Sequence, residues 1–229
     1  MKTIGLLGGT SWPSTIEYYR ILNELAQKKL GGFHSAKILL YSIDYHEIKS
    51  RYHSGWNEIP HLLRTELKKL IRLGPDCILI GNNTLHKAFD LIQTELTLSI
   101  PVFHIVDVTG QYAQMKKLEN VLLLGTKYTM EDGFFQRKLE KYGLRVKIPD
   151  PDDRAEIQRI QSELAKGTIN KSFHKAFRKI ISKYPHLNAV VLACTEIPLV
   201  VKQKDFDIEI VNPTELQCRR AFEFAVSDI

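Results

Sequence analysis

Short runs of branched and aliphatic residues recur along this chain and alternate with longer stretches of helical spacing. Strands are predicted over residues 2–7, 36–43, 76–80, 102–106, 121–124, 144–148, 188–193 and 208–211. Several of these runs are apolar throughout rather than alternating, which reads as strands buried on both faces of a parallel sheet. Between the first two, Ile16, Tyr19, Ile21, Leu22, Leu25 and Ala26 keep helical spacing behind Pro13, and Gly31-Gly32 ends that helix. Further helices are predicted over 58–73, stopped by Gly74-Pro75, then over 85–96, 157–165, 172–183 and 213–226. Residues 51–55 read as a polar loop, and a helix opens near 127–131 with a capping-box pattern from Thr129 to Asp132.

Alternation of strand and helix puts the chain in the α/β class, and the pattern runs twice. A glycine-bearing turn at Thr10 returns at Thr126, and the strand end at Asn82 returns at Cys194 after nearly the same interval. The repeat implies two pseudo-symmetric lobes, each a parallel sheet flanked by helices, with the active site in the cleft between them. The N-terminal lobe is assigned residues 1–100 plus 213–229 and the C-terminal lobe 101–212.

Composition narrows the function classes. With 32 Lys and Arg against 26 Asp and Glu, the formal charge is +6. The cations are spread along the helices among acids, without the basic, aromatic-laced cluster of a nucleic-acid surface. No apolar run approaches the ~20 residues that span a bilayer, so no membrane partner is expected. Three cysteines without close spacing fit a reducing compartment, and the expected location is the cytoplasm. Histidines lack metal-ligand spacing, and Gly8-Gly9 is too short for a dinucleotide fingerprint. Neither a metal nor any other cofactor is predicted.

The candidate chemistry lies at two strand ends. In a parallel α/β sheet, ligands sit outside the carboxyl ends of the strands. One such end is Gly81-Asn82-Asn83-Thr84, followed by Leu85-His86-Lys87, and the other is Ala193-Cys194-Thr195-Glu196. A thiol ahead of a helix start is expected to have a lowered pKa, because helix amides favour the thiolate. Asn83, Thr84 and Thr195 can donate to a substrate carboxylate. Glu196 can orient the thiol or hold the lobes together by hydrogen bonds. His86 lies one helical turn past Asn82, where a proton relay and a buried structural histidine are both open readings. Cys77, inside its strand, and Cys218, in the last helix, read as structural.

Taken together, Gly5-Leu-Leu-Gly-Gly, Gly81-Asn-Asn-Thr-Leu-His-Lys, Leu124-Gly-Thr-Lys-Tyr-Thr-Met-Glu and Ala193-Cys-Thr-Glu-Ile resemble the aspartate/glutamate racemase family, nearest its broad-specificity amino-acid racemase branch. The resemblance implies cofactor-independent, two-lobed, usually dimeric enzymes. In these, one thiolate removes the α-proton and a thiol on the opposite face returns one. On this pattern Cys194 matches the second catalytic cysteine, while Asn82 occupies the position of the first. A carboxamide neither takes nor gives a proton at neutral pH, and losing a general acid–base partner costs ~10²–10⁴ in rate. Thr10, which the resemblance makes a substrate-binding candidate, and Asn212 and Gln217 also replace residues usual in the family. Lys166 matches a lysine that binds a side-chain carboxylate in related enzymes, and a plain helix-end lysine is equally open. Arg51 is the corresponding candidate in the first lobe, against a solvated loop arginine, and Thr126 and Thr129 match the substrate-side turn unless they only cap. The expected partner is a small, acidic amino acid, and the leading function is a racemase impaired by Asn82. A single-cysteine decarboxylase or isomerase of the same superfamily, and a binding protein without turnover, remain the alternatives.

Overall fold

In the computed structural model, which describes residues 1–96 and 98–228, the chain divides into two compact units. The first comprises Met1–His104 with Gln217–Ile229, and the second Ile105–Leu216.

In the first unit the order is β1 (Ile4–Gly8), α1 (Trp12–Leu30), β2 (Ile38–Ser42), α2 (His46–Lys49), α3 (Ile59–Arg72), β3 (Cys77–Ile80) and α4 (Leu85–Ile92). The strands pair in parallel as β2-β1-β3, and Val102 adds a single parallel bridge beside Ile78 of β3. In the second unit the order is α5 (Ile105–Met115), β4 (Asn120–Gly125), α6 (Lys127–Glu131), α7 (Phe134–Glu140), β5 (Arg145–Lys147), α8 (Pro151–Ala165), α9 (Lys171–Ile181), β6 (Ala189–Ala193) and β7 (Glu209–Val211). These strands are parallel in the order β5-β4-β6-β7. Helix α10 (Pro213–Ala225) begins in the second unit and packs in the first. Each sheet therefore has its second-formed strand outermost, then the first, then the third. The switch point of each lies between its first and third strands, where ligands bind in this topology.

Side-chain alternation along the strands sorts each core into two layers. Leu7, Ile78 and Ile80 pack with α3 and α4, while Ile4, Leu6, Cys77 and Leu79 pack with Tyr18 and Leu22 of α1 and Cys218 and Phe222 of α10. In the second unit Leu122, Leu124, Val190, Leu192 and Cys194 face α8 and α9. Val121, Leu123, Ala189, Val191 and Ala193 face Ile105 of α5 and Phe135 of α7. All these residues lie under 10% exposed, so the apolar runs are buried on both faces as their composition implies. The chain thus passes from the first sheet into α5, which covers the second, and from the second sheet into α10, which covers the first.

The strand expected over residues 102–106 reduces to the Val102 bridge, and the chain is helical from Ile105. Pro101 has no N–H to give a ladder, whereas Ile105, Val106, Thr109 and Ala113 present one buried helical face. Gly110 lets that helix meet the ring of Tyr142, which a Cβ would approach to 2.3 Å. The helix expected over 85–96 ends at Ile92, and helices α2 and α7 are additions to the pattern read from the sequence. Among the described residues no helix is long and apolar enough to cross a membrane.

The turn after β1 is sterically tight. Gly9 has φ +81°, and a Cβ there would lie 2.1 Å from the carbonyl oxygen of Ile43. Gly31 has φ +69° with nothing within 4 Å of the same position. Gly9→Ala should therefore cost about 2–4 kcal/mol of stability by urea denaturation, against about 1 kcal/mol for Gly31→Ala. Equal losses would show that the approach to Ile43 imposes no constraint.

Candidate active site

At the end of β3 the chain leaves the sheet through Gly81 and turns into α4, and the Asn82 side chain holds that turn. Its Oδ1 accepts the N–H of Leu85 at 3.0 Å, and its Nδ2 donates to the hydroxyl of Tyr45 at 3.1 Å. Tyr45 Oη in turn pairs with Tyr52 Oη. Asn83 is 5% exposed, and neither its amide nitrogen nor its amide oxygen has a hydrogen-bond partner among the described residues. A buried, unpaired polar atom costs about 1–3 kcal/mol, so a carboxamide left in this state is one that a ligand or water would satisfy. Thr84 is buried beside it. The Oγ atoms of Ser11 and Ser14, at the start of α1, are likewise buried without a partner among the described residues.

Thr10 is buried and its hydroxyl donates to the carbonyl of Gly81 at 2.8 Å, tying the β1 turn to the β3 turn. The Gly9 N–H donates to Thr15 Oγ1 at 2.9 Å, so this amide of the turn is occupied within the fold rather than facing a ligand. His86 is fully buried, its Nε2 3.3 Å from Gln217 Nε2 and its ring 4.4 Å from that of His104. Gln217 also accepts from the Tyr18 hydroxyl at 2.6 Å and donates to the Phe103 carbonyl at 2.7 Å. These contacts favour the buried-histidine reading of His86.

At the end of β6, Cys194, Thr195 and Glu196 are all buried. Two donors converge on one carboxylate oxygen: Cys194 Sγ lies 2.8 Å and Thr195 Oγ1 3.2 Å from Glu196 Oε2. The expected lowering of the thiol pKa is overturned. Burial, then the charge of Glu196, then the thiol's hydrogen bond to that carboxylate push the Cys194 pKa well up. Backbone N–H groups of Glu196 and Ile197 act in the anticipated direction but are outweighed. The element that directly follows Cys194 is the 3-10 turn Ile197–Leu199, too short to supply a helix field. In the free protein Cys194 is thus a thiol held toward a carboxylate. Cys77 is also buried and its pKa is raised to about 12, mainly by desolvation, and Cys218 is buried in the core of the first unit.

The turn after β4 corrects the cap expected at Thr129. Thr126 is the N-cap, its Oγ1 accepting the N–H of Thr129 at 3.0 Å and lying 2.9 Å from the Thr129 hydroxyl. Its extended ψ of 157° suits the cap, while Thr129 already lies inside α6.

Both candidate cations are paired at the surface. Arg51 Nε donates to Glu58 Oε2 at 2.7 Å, a bond that raises its pKa, with Glu47 nearby. Lys166 caps the end of α8 with Nζ 3.0 Å from Glu163 Oε1, its side chain 70% exposed. Such exposed pairs hold a side chain only weakly. Among the described residues no lysine or arginine is buried, and no group of acids, histidines and cysteines could hold a metal ion. Sequence reasoning passes over Ser14 and Tyr45. Ser14 looks like an ordinary first-turn residue, and Tyr45 reaches Asn82 across 37 positions of sequence.

A chain of two parallel α/β sheets of this kind has counterparts among known proteins. The profile of the Asp/Glu/hydantoin racemase family matches residues 7–221, and the chain belongs to that family. A Yersinia pestis protein provisionally assigned as an Asp/Glu racemase is 38% identical, with TM-score 0.87 over 99% of this chain and all of that one. An aspartate racemase homologue from Pyrococcus horikoshii is 34% identical, with TM-score 0.86 over 98% and 99% of the two chains. The glutamate racemase of Aquifex pyrophilus is 29% identical over 150 residues, 62% of this chain and 56% of that protein. The chain thus matches little more than half the length of this curated relative.

The charge on Glu196 predicts a measurable effect on the thiol. Glu196→Gln removes that charge, so the Cys194 pKa should fall, and each unit of fall raises the thiolate fraction near neutral pH about tenfold. Iodoacetamide labelling of Cys194, followed by peptide mapping at pH 8, should accelerate accordingly while Cys77 and Cys218 stay unlabelled. Unchanged or slower labelling would mean that Glu196 does not hold the thiol in its neutral form.

Proposed function

We propose that this chain is a cofactor-independent isomerase that moves the α-proton of a small, acidic amino acid at Cys194. The observation carrying the reading is the buried thiol–carboxylate pair of Cys194 and Glu196 at the end of β6. The unpaired carboxamide of Asn83, at the matching end of β3, supports a ligand there. The relatives' names, aspartate and glutamate racemase, supply the substrate class.

At rest the thiol keeps its proton and shares it with Glu196 Oε2. For sulfur to act as a base, that proton passes along the 2.8 Å hydrogen bond to Glu196. The thiolate then takes the α-proton, and the electron pair left on Cα spreads into the substrate carboxylate. The ammonium group of a bound amino acid offsets the negative charge, which lowers the raised thiol pKa on binding. Thr195 holds the substrate carboxylate beside Cys194, with Thr126 and Thr129 at the turn after the neighbouring strand β4, and Asn83 and Thr84 are the matching donors at the end of β3 in the first unit. Thr10 fixes the β1 turn rather than donating to the ligand. Lys166 or Arg51 turns from its glutamate to a side-chain carboxylate. Because Asn82 cannot carry a proton, return of the proton to the Cys194 face outpaces inversion. A homodimeric, cytoplasmic enzyme is part of the same reading.

One observation favours a second reading. A thiol neutral at rest is already an acid, which is what a single-cysteine decarboxylase needs to protonate a carbanion after carbon dioxide leaves.

Incubation of D- and L-amino acids in deuterium oxide tests these readings. One enantiomer of aspartate or glutamate should exchange its α-proton faster than it inverts, and Cys194→Ala should abolish both processes. Loss of carbon dioxide from a malonate-type acid without amino-acid exchange would support the second reading instead. Ligand-induced thermal stabilisation with neither reaction would leave a binding protein.

Specificity gives a further test. Lys166→Ala should raise KM for aspartate or glutamate by about 10–100-fold relative to alanine or serine, the loss of one charge-assisted bond. Equal losses for acidic and neutral substrates would make Lys166 only the end of α8.

A further inference from the structure

We infer that the second unit carries a further ligand site, a groove at the amino ends of β6 and β7 that binds an α-amino acid with an apolar side chain by both of its charged ends. The site is separate from the proposed α-proton chemistry and does not rest on it.

The groove encloses about 510 Å³, within the range of small-molecule sites, and all of its lining belongs to the second unit. One wall is the last turn of α9 with the loop behind it, and the other is the segment 205–209 that leads into β7. Asn188, just before β6, lies between them. Cys194 follows the opposite end of the same strand, about 20 Å away at ~3.3 Å per residue, so a ligand here does not touch the thiol.

Two opposite charges in the lining are unengaged. Arg178 stands on the α9 wall and Asp207 on the other, and neither side chain makes a hydrogen bond or ion pair among the described residues. The other two carboxylates of the lining have partners. Asp205 Oδ2 lies 3.5 Å from His174 Nε2, and Glu209 Oε1 accepts the Tyr112 hydroxyl at 2.6 Å. A guanidinium offers a planar fork that fits a carboxylate, and a lone carboxylate suits an ammonium.

The balance of charge selects among ligands. One guanidinium against three carboxylates repels phosphate or a dicarboxylate, and Arg178 repels a polyamine, whereas a zwitterion matches both walls. The rest of the lining is largely apolar. Ile181 belongs to the core cluster beneath α8 and α9, and Leu187, Phe206 and Ile208 pack against it while partly exposed. An apolar side chain laid on them is removed from water.

The groove is also held in shape. Gln203 Nε2 donates to the carbonyls of Phe206 and Ile208 at 3.2 and 3.1 Å, on either side of Asp207, and its Oε1 accepts the Ile210 N–H at 2.7 Å. Behind α9, Tyr184 Oη accepts the Asp150 N–H at 3.1 Å. Asn188 Oδ1 accepts the Asn120 N–H at 2.9 Å. Little ordering of the backbone is left for a ligand to impose, which favours binding.

Isothermal titration of the full chain with L-leucine, L-methionine and L-phenylalanine tests the site. Leucine should bind, and isoamylamine and isocaproate, which keep its side chain but only one of its charges, should bind at least about tenfold more weakly. That comparison uses the unaltered protein. Arg178→Gln and Asp207→Asn each remove one charge from an exposed position. Each should raise the Kd for leucine at least about tenfold and leave the thermal midpoint within about 2 °C of the parent. A leucine molecule bound at the Cys194 end of β6 would ignore both substitutions. The inference is overturned if none of the three amino acids binds, or if either one-charge analogue binds as tightly as leucine. A smaller rise in Kd in either folded variant overturns it as well.

Discussion

A parallel strand covered on both faces sends alternate side chains into opposite helical layers, and that constraint runs through to where each strand stops. Along β3, Ile78 and Ile80 face α3 and α4, and Asn82 is the next position in that alternation. Along β6, Val190 and Leu192 face α8 and α9, and Cys194 continues the series while still part of that core. The same alternation, in two sheets whose first three strands share one order, runs up to each of these residues. Beyond these positions the backbone leaves the ladder, and polar side chains enter where apolar ones stood. The turns then need their own tethers, which Thr10 supplies through Gly81 and Thr126 through Thr129.

The cost of this arrangement falls on the thiol. A cysteine that belongs to a hydrophobic cluster is desolvated, and a carboxylate two residues later adds charge of the wrong sign for a thiolate. The Cys194 thiol is therefore held in its protonated form. In the first unit the Asn83 amide is buried without a partner among the described residues.

Much of this is legible in the chain itself. Unbroken apolar runs such as residues 188–193 announce doubly covered parallel strands, and Gly31, Gly74 and Gly167 mark helix ends by taking positive φ. The family motifs span both strand ends, so the motifs alone point to the candidate residues there. The features that escape a reading of the sequence depend on distance or on rotamer. Residues 102–106 have a strand's composition, yet Ile105 and Val106 open a helix because Thr109, Gly110 and Ala113 complete its buried face. The sign of the Cys194 shift turns on the Glu196 side chain folding back onto the sulfur, a χ choice that no spacing reveals. The link from Tyr45 to Asn82 joins residues on separate elements, and neither residue's neighbours in sequence point to the other.

The placement of helix α10 has a consequence for how the polypeptide matures. Residues 105–216 contain every member of the second unit, so that body can close its core as soon as it emerges from the ribosome. The first unit cannot, although it is made earlier, because Cys218, Ala221, Phe222 and Ala225 fill the layer against Ile4, Leu6, Cys77 and Leu79. Until those residues are synthesised, one face of β1 and β3 lacks part of its cover, an apolar surface on newly made chain. The half of the protein translated first is therefore the half completed last, and a ribosome stalled before residue 217 would present an unfinished sheet to chaperones or to another nascent chain.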